Sequence, residues 1–241
     1  MPTEPQLGAH VDWAPAQPPT GRTLTGTHVL LRPIDADRDA GPLYEVSHPP
    51  HGDAAIWTYL PEGPYESSTD LRDSLRETER STDPLRYTIV GASGEGPLGS
   101  ASYLRITPAF GVIEIGHIWF GTPLQRTTGA TEAIFLMARH AFDDLGYRRL
   151  EWKCNALNAA SRRAAERFGF TFEGVFRQHQ VIKGRNRDTA WYSIVDGDWP
   201  AIKQAFEAWL EPGNFGPDGA QRRSLTELRV TPPAAAPPPS G

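Results

Sequence analysis

The sequence predicts an α/β (α+β) protein built on a single mixed sheet. Runs of β-branched or alternating apolar residues, such as residues 112–120, recur between segments whose apolar residues have helical spacing, such as 132–145. Gly- and Pro-containing turns separate these segments. There is no internal repeat and no apolar run long enough to span a bilayer. These observations favour one ordinary globular domain.

Composition narrows the class of protein further. The 241 residues carry a formal charge of −5, which favours neither a nucleic-acid binder nor a protein held on anionic membranes. The single cysteine, Cys154, cannot form an internal disulfide, so a reducing compartment fits. The first 21 residues lack the basic and apolar regions of a signal peptide. We therefore expect a cytoplasmic protein.

Proline content suggests where the domain begins and ends. Residues 1–22 and 211–241 are rich in Pro, which joins neither helices nor ladders readily, and the end also contains an Ala run. We expect both segments to be disordered tails, and the domain to span residues 23–210.

The first half of the domain predicts one strand, three helical segments and three strands. Asp35 can cap the first helix, and Pro61 and Pro64 prevent the second from continuing. A Gly-rich turn at 91–96 separates the second strand from the third. The predicted ranges are 28–33 for the first strand, 35–47, 54–59 and 69–80 for the helices, and 85–90, 98–105 and 112–120 for the later strands.

The second half alternates helix and strand and ends with a hairpin and a helix. The helix at 132–145 ends at Gly146, and Asn158 caps a shorter helix that closes at Gly169. Strands are expected at 150–154, 172–182 and 189–195, with a turn at 183–186 and a last helix from Asp198 to about Trp209.

The loop between strand 112–120 and helix 132–145 predicts an anion site. It reads Arg126-Thr127-Thr128-Gly129-Ala130-Thr131. The first amides of a helix have no intrahelical partner, and the helix dipole adds positive potential at the same end. We therefore expect a phosphate-bearing ligand there.

Three segments together resemble the GNAT N-acetyltransferase superfamily. They are Ile113–Phe120, Arg126–Ala133, and Asn158 to Ser161 leading to Glu166-Arg-Phe-Gly169-Phe170. The chain is most similar to the branch of ribosomal-protein N-terminal acetyltransferases. The resemblance covers about residues 23–210. It implies the GNAT fold, a mostly antiparallel, splayed sheet flanked by helices.

The resemblance also implies acetyl-coenzyme A as co-substrate, with its pyrophosphate on the amides of the loop. Arg126 and Gly129 occupy the family's first two loop positions, and Thr131 replaces the usual Gly or Ala. The sheet would open between the strands that end near Phe120 and Asn155, and pantetheine would pair there as a false strand. The predicted donor-binding residues are Ile118, Trp119, Phe120, Arg126, Thr127, Thr128, Gly129, Ala130, Thr131, Asn155 and Asn158.

The predicted catalytic residues are Ser161, Glu114 and His117. By family position Ser161 would protonate the departing thiolate, although it could instead only satisfy amides at the helix start. The branch's glutamate base aligns with Gln180, which cannot take a proton. Glu114 is the favoured replacement, followed by His117 and His179. Each of these three could alternatively be a packing or solvated strand residue, and Cys154 is expected to be a core residue.

The expected reaction is direct acyl transfer to a primary amine, either a protein N-terminus or a small molecule. Another donor such as succinyl-coenzyme A, or a coenzyme A-binding sensor without catalysis, would fit the same pattern. The seven histidines and one cysteine show no metal-ligand spacing, so no metal is expected. Edge strands of this fold would allow a homodimer.

Overall fold

A single eight-stranded sheet forms the centre of the computed structural model, which describes residues 7–230. The strand order is β1-β2-β3-β4-β5-β6-β8-β7, and every neighbouring pair is antiparallel except β5–β6. The strands are β1 (Leu24–Thr25), β2 (Val29–Pro33), β3 (Leu85–Gly91), β4 (Pro97–Thr107), β5 (Val112–Phe120), β6 (Arg149–Asn155), β7 (Thr171–Ile182) and β8 (Arg185–Val195). The predicted mixed, mostly antiparallel sheet is confirmed.

Six α-helices flank the sheet within the described residues. They are α1 (Ala36–Ser47), α2 (Ser68–Glu79), α3 (Thr128–Arg139), α4 (Ala159–Phe168), α5 (Trp199–Leu210) and α6 (Leu225–Val230). Short 3-10 turns lie at Ala54–Trp57, Pro108–Phe110 and Pro212–Asn214, and a π-helical turn at His140–Asp144 continues α3. In the described part of the chain no helix is long and apolar enough to cross a membrane.

The parallel strands β5 and β6 separate after a few residues. Their register runs only from Val112 opposite Arg149 to Glu114 opposite Glu151. On the other side of β5, Ser102 pairs with Gly116 and Ser100 with Trp119, so the register shifts at His117 and Ile118. His117 has a positive φ of 48°. Such a bulge bends its strand, and here it lies where β5 leaves β6.

Two apolar clusters hold the helices on the sheet. The larger one packs α3, α4, α5 and α6 against the strands, with Ile113, Leu150 and Tyr192 fully buried. The smaller one lies around α1 and α2, where Leu43 and Leu75 are fully buried. The two helix layers therefore leave the gap between β5 and β6 as an opening in the sheet.

Part of the predicted N-terminal tail packs on the surface of the domain. Trp13 donates from its indole nitrogen to the Ala109 carbonyl at 3.0 Å and covers Gly111. Ala16 is buried, and its amide donates to the Pro108 carbonyl. An extended segment can pack its side chains on a domain without joining the sheet. Residues 1–6 lie outside the described range.

Residues beyond the predicted boundary at 210 also pack on the domain. Leu225 and Leu228 of α6 are 0% and 4% exposed and belong to the larger apolar cluster. Proline content led to the prediction of a tail, but two leucines three residues apart are enough to dock one turn of helix. The last predicted part of this tail, residues 231–241, lies outside the described range.

Helix α3 begins earlier than predicted, at Thr128 and not Glu132. Thr127 is its cap, because the Thr127 side chain accepts from the Ala130 amide at 3.2 Å. The Glu132 carboxylate accepts from the amides of Thr27, His28 and Val29 at 2.6 to 2.9 Å. These bonds tie the first turn of α3 to the beginning of β2. The predicted anion loop is therefore mostly the first turn of a fixed helix.

Candidate active site

A cleft of about 970 Å³ lies where β5 and β6 diverge. Every predicted catalytic and donor-binding residue lines it except Gly129. The first turn of α3 borders one part, which we call the donor end. The charged residues of β5, β6 and β8 border another part, which we call the acceptor end. The β7–β8 hairpin and the segment around Tyr59 complete its walls.

The donor end offers backbone amides at the start of α3. The amides of Thr128 and Gly129 donate no hydrogen bond to any residue among 7–230, whereas from Thr131 onward the amides of α3 bond within the helix. The amides of Thr127 and Ala130 are already used, by the Leu124 carbonyl and the Thr127 hydroxyl. Free amides at a helix start favour an anion. The local geometry thus leaves the amides of Thr128 and Gly129 free at the start of the helix.

Gly129 is buried beneath this turn, so it does not line the cleft itself. A β-carbon there would lie 2.9 Å from Val29 Cγ1. Glycine therefore lets α3 approach β2 closely. Arg126 is exposed with a φ of 62°, and Thr131 is buried with its hydroxyl accepting from Arg167 Nη1 at 3.0 Å. Thr131 thus fits the helix start without distorting it.

Ser161 lies in the first turn of α4 and faces the cleft. Its hydroxyl accepts from the Trp152 indole at 3.0 Å, and its amide donates to the capping Asn158 side chain at 3.0 Å. The alternative interpretation expected the Ser161 hydroxyl to satisfy amides at the start of the helix. The structure shows instead that Asn158 caps the helix and that the Ser161 hydroxyl accepts from Trp152. It also lies within hydrogen-bonding reach of Cys154, whose thiol pKa is raised by burial.

Asn155 is the last residue of β6 and faces the opened part of the sheet. Its side-chain oxygen accepts from the Leu157 amide at 3.0 Å, so one polar atom shapes the turn into α4. Asn155 and Asn158 are therefore brought together with Ser161 at one place in the cleft.

A buried charge cluster surrounds Glu114 at the acceptor end. Glu114 Oε2 accepts from Arg105 Nη1 at 2.7 Å and from Lys153 Nζ at 2.9 Å. Lys153 also pairs with Glu151 at 2.7 Å, and its side chain is only 4% exposed. Burial raises the pKa of Glu114, whereas the two cations beside it act in the opposite direction. Glu114 is thus held in an ion-pair network, which the sequence interpretation did not foresee.

His117 lies next to this cluster on the bulge of β5. Burial lowers its pKa, so the imidazole is neutral at neutral pH. Its Nδ1 is buried and has no hydrogen-bond partner among the described residues. His179 and Gln180 also line the cleft, and His179 Nδ1 lies 2.9 Å from the Thr189 hydroxyl. Burial also lowers the pKa of His179.

The entrance on the acceptor side is formed by the chain between α1 and α2. The Lys183 ammonium of the β7–β8 turn donates to the Trp57 carbonyl at 2.8 Å. Tyr59 donates from its hydroxyl to the Leu157 carbonyl at 3.3 Å. Both bonds connect the α1–α2 segment to the β6 side of the gap, since β8 and β7 follow β6 in the sheet.

Several residues that line the cleft were missed from sequence. Arg105, Lys153 and Arg187 carry charge at the acceptor end, and Arg167 and Trp209 lie beyond the start of α3. Alternation along β6 could have indicated that Lys153 shares a face with Glu151. Nothing local in the sequence indicates that Arg105 and Lys153 meet the same carboxylate, because they lie on different strands.

A sheet opened between two parallel strands, with free amides of a helix start at one side and titratable groups at the other, fits an acyl-coenzyme A-dependent transferase. Comparison with known families agrees, since residues 28–171 match the acetyltransferase (GNAT) domain. The chain belongs to the GNAT family and is an acyl-coenzyme A-dependent N-acetyltransferase.

Individual relatives extend this result over most of the chain. A crystal structure of a GCN5-related N-acetyltransferase from Brucella melitensis is 44% identical, with a TM-score of 0.87, and the match covers 91% of this chain and 99% of that one. A GNAT-family structure from Chromobacterium violaceum is 40% identical, with a TM-score of 0.74, covering 83% and 99%. YdaF of Bacillus subtilis, which carries the provisional name ribosomal N-acetyltransferase, is 26% identical and covers 72% and 93%.

Proposed function

We propose that this protein transfers an acetyl group from acetyl-coenzyme A to a primary amine by direct attack in a ternary complex. One observation carries the proposal: the opened β5–β6 gap connects unpaired amides at the start of α3 with Ser161 and His117. The amides of Thr128 and Gly129 hold the pyrophosphate. Pantetheine then pairs with the backbone of Ile118 to Phe120 and contacts Asn155 and Asn158.

The acceptor amine must lose its proton before it attacks. An α-amino group has a pKa of about 7.7–8.0, so deprotonation at neutral pH costs under roughly 1.5 kcal/mol. A lysine at about 10.4 costs roughly 4–5 kcal/mol by the same arithmetic. A neutral imidazole is a sufficient base for the first case, and burial keeps His117 neutral. His117 receives the proton in this proposal, and Glu114 remains a second candidate.

The departing thiolate needs a proton, and Ser161 is placed to supply it. The Trp152 indole donates to the Ser161 oxygen, which leaves the hydroxyl hydrogen free to point at another acceptor. Because burial raises the pKa of the Cys154 thiol, this cysteine stays protonated at neutral pH and forms no acyl intermediate.

The acceptor is a protein N-terminus in the reading that the YdaF name favours, and a small amine is the second candidate. The low cost of deprotonating an α-amine fits either. A mass-shift screen tests the proposal, with N-terminal peptides and small amines supplied with acetyl- or succinyl-coenzyme A. We expect a gain of one acetyl group and stoichiometric release of free thiol.

Reactions without acceptor serve as the control for thioester hydrolysis. Succinyl transfer at a higher kcat/KM than acetyl transfer would reassign the donor. Tight coenzyme A binding with no thiol release from any amine would favour a coenzyme A-binding sensor and contradict the proposed transfer.

A further inference from the structure

The segment between α5 and α6 forms a wall of the cleft beyond the start of α3. We call residues 211–221 the C-terminal loop. Phe215, Gly219 and Gln221 of this loop line the cleft, together with Trp209 of α5. None of them belongs to the phosphate-binding turn or to the charge cluster around Glu114. The loop therefore bounds a part of the cleft that the proposed reaction does not yet use.

The C-terminal loop has a defined internal structure. The buried Asn214 side chain donates to the carbonyls of Trp209 and Arg223, both at 3.1 Å, and accepts from the Arg223 amide at 3.0 Å. An isolated β-bridge joins Phe215 to Gln221. A side chain that satisfies three backbone groups fixes the loop in one shape. The wall is thus built in advance and does not depend on a ligand.

Contacts run from this wall to the phosphate-binding turn. Gln221 accepts from the Trp209 indole at 2.8 Å, and the Phe215 ring packs edge-on against Trp209 with centroids 5.1 Å apart. The Arg167 guanidinium lies 5.0 Å from the centroid of the Trp209 ring. Arg167 also donates to the Thr131 hydroxyl at the start of α3. The aromatic wall and the phosphate turn therefore share one arginine.

Arg167 forms no ion pair with a carboxylate among residues 7–230. Burial lowers the pKa of its guanidinium. A half-buried guanidinium without an anionic partner favours a phosphate nearby. The position of Arg167 along α4 also indicates which part of the donor lies near it. Arg167 lies six residues after Ser161, which is about 9 Å along a helix. The thioester belongs near Ser161, so Arg167 lies toward the nucleotide part of the donor.

We infer that the C-terminal loop binds the adenine end of the acyl donor. The partly exposed Phe215 supplies an apolar face backed by the buried Trp209, Gln221 supplies a polar edge, and Arg167 joins this site to the pyrophosphate. An aromatic wall beside a cation suits a purine that follows a diphosphate. The inference rests on the proposed function, because it assigns the part of coenzyme A that the phosphate turn and the β5–β6 gap leave unassigned.

The test compares three ligands by calorimetry: coenzyme A, dephospho-coenzyme A and 4′-phosphopantetheine. Only the first two contain adenine. We expect the wild-type protein to bind both of them at least about tenfold more tightly than 4′-phosphopantetheine, which lacks the base and also the second phosphate of the diphosphate; one stacked base contributes roughly that much. Dephospho-coenzyme A separates the base from the 3′-phosphate, because it keeps the adenine and lacks that phosphate.

Phe215→Ala should weaken coenzyme A and dephospho-coenzyme A by about tenfold and change 4′-phosphopantetheine by less than about twofold. Phe215→Leu keeps an apolar side chain against Trp209 but removes the flat face, so an intermediate loss is expected. Phe110→Ala is the matched control, because Phe110 is 72% exposed and does not line the cleft. Thermal melting of each variant shows whether the loop remains docked.

Equal weakening of all three ligands by Phe215→Ala, or no weakening in a folded variant, would overturn the inference. If Phe215→Ala does not fold, the folded Phe215→Leu variant decides by the same ligand comparison. If the wild-type protein binds all three ligands equally, the adenine site is refuted and the proposed function is not. Wild-type protein that binds none of them refutes the proposed function as well.

Discussion

The donor end of the cleft presents backbone groups, whereas the acceptor end presents side chains. At the donor end the ligand groups are backbone amides of one helix start, positioned by the Thr127 cap and by Gly129 packed on Val29. At the acceptor end they are side chains from separate strands, such as Arg105 of β4, Glu114 of β5 and Lys153 of β6. A local segment of sequence determines the first, whereas the sheet register assembles the second.

This difference explains why the class of reaction is easier to recognise than the acceptor. The free amides of a helix start favour an anion, and a few consecutive residues are enough to place them. A side-chain cluster has a chemistry that depends on which residues meet and how deeply they are buried. Changes at the donor end should therefore act on binding, and changes at the acceptor end on turnover.

The largest expected effect concerns stability at the donor end. A chain that stops after Leu210 loses the buried Leu225 and Leu228, each worth about 1.5–3 kcal/mol. We expect a loss of roughly 3–6 kcal/mol in the free energy of unfolding by urea denaturation. A chain that stops after Val230 keeps these contacts and is the control. Equal stability of the two would show that α6 contributes nothing to the fold.

Thr128→Asp should break donor binding without breaking the helix. An acidic residue is favourable in the first turn of a helix, so α3 should persist. The added carboxylate would repel the diphosphate. At a distance of about 5 Å and an effective dielectric constant of about 20, each charge of the diphosphate contributes about 3 kcal/mol of repulsion, which lowers the affinity more than a hundredfold. Calorimetry with coenzyme A measures the effect, and Thr128→Asn is the uncharged control. Unchanged affinity would move the diphosphate away from this turn.

His117→Gln should act on turnover and on its pH dependence. We expect kcat to fall about a hundredfold at neutral pH, with donor affinity unchanged. Burial lowers the His117 pKa below the usual 6.5, so wild-type activity should fall as the pH drops through that lowered value. The variant should lose this acidic limb.

Glu114→Gln serves as the comparison and should keep the acidic limb of the pH–rate profile. If the limb disappears in Glu114→Gln and persists in His117→Gln, then Glu114 is the base.

The pH dependence of the free energy of unfolding gives a second measurement for His117. In the unfolded chain this histidine takes up a proton near pH 6.5, before the folded His117 does. The group therefore contributes stability above pH 6.5 that is lost on acidification. His117→Gln should reduce that slope.

Ser161→Ala has the smallest expected effect, about a tenfold loss in kcat with unchanged affinity for acetyl-coenzyme A. Trp152→Phe removes the hydrogen bond to the Ser161 oxygen and part of a buried ring but keeps the hydroxyl, so it should cost less in kcat. Stopped-flow measurement of thiol release compares the three proteins. A wild-type rate in Ser161→Ala would remove this hydroxyl from the chemistry.

Local sequence signals correctly indicated most elements of the fold. Strand β5 was predicted as 112–120 and is Val112–Phe120, and Asn158 caps α4 as expected. Caps, Gly stops and apolar periodicity act over a few residues, so they can be read from the chain itself. The predicted anion loop is also read from a few consecutive residues, although α3 begins four residues earlier than predicted.

Only the tertiary structure decided which side chains meet in the cleft. The pairing of Glu114 with both Arg105 and Lys153, the bulge at His117, and the docking of Trp13, Phe215 and Leu225 onto the domain all join residues far apart in sequence. Proline-rich composition predicted tails at both ends because composition carries no information on such long-range packing. The strand register that brings these charged side chains together, and the depth at which they are buried, depend on the whole sheet.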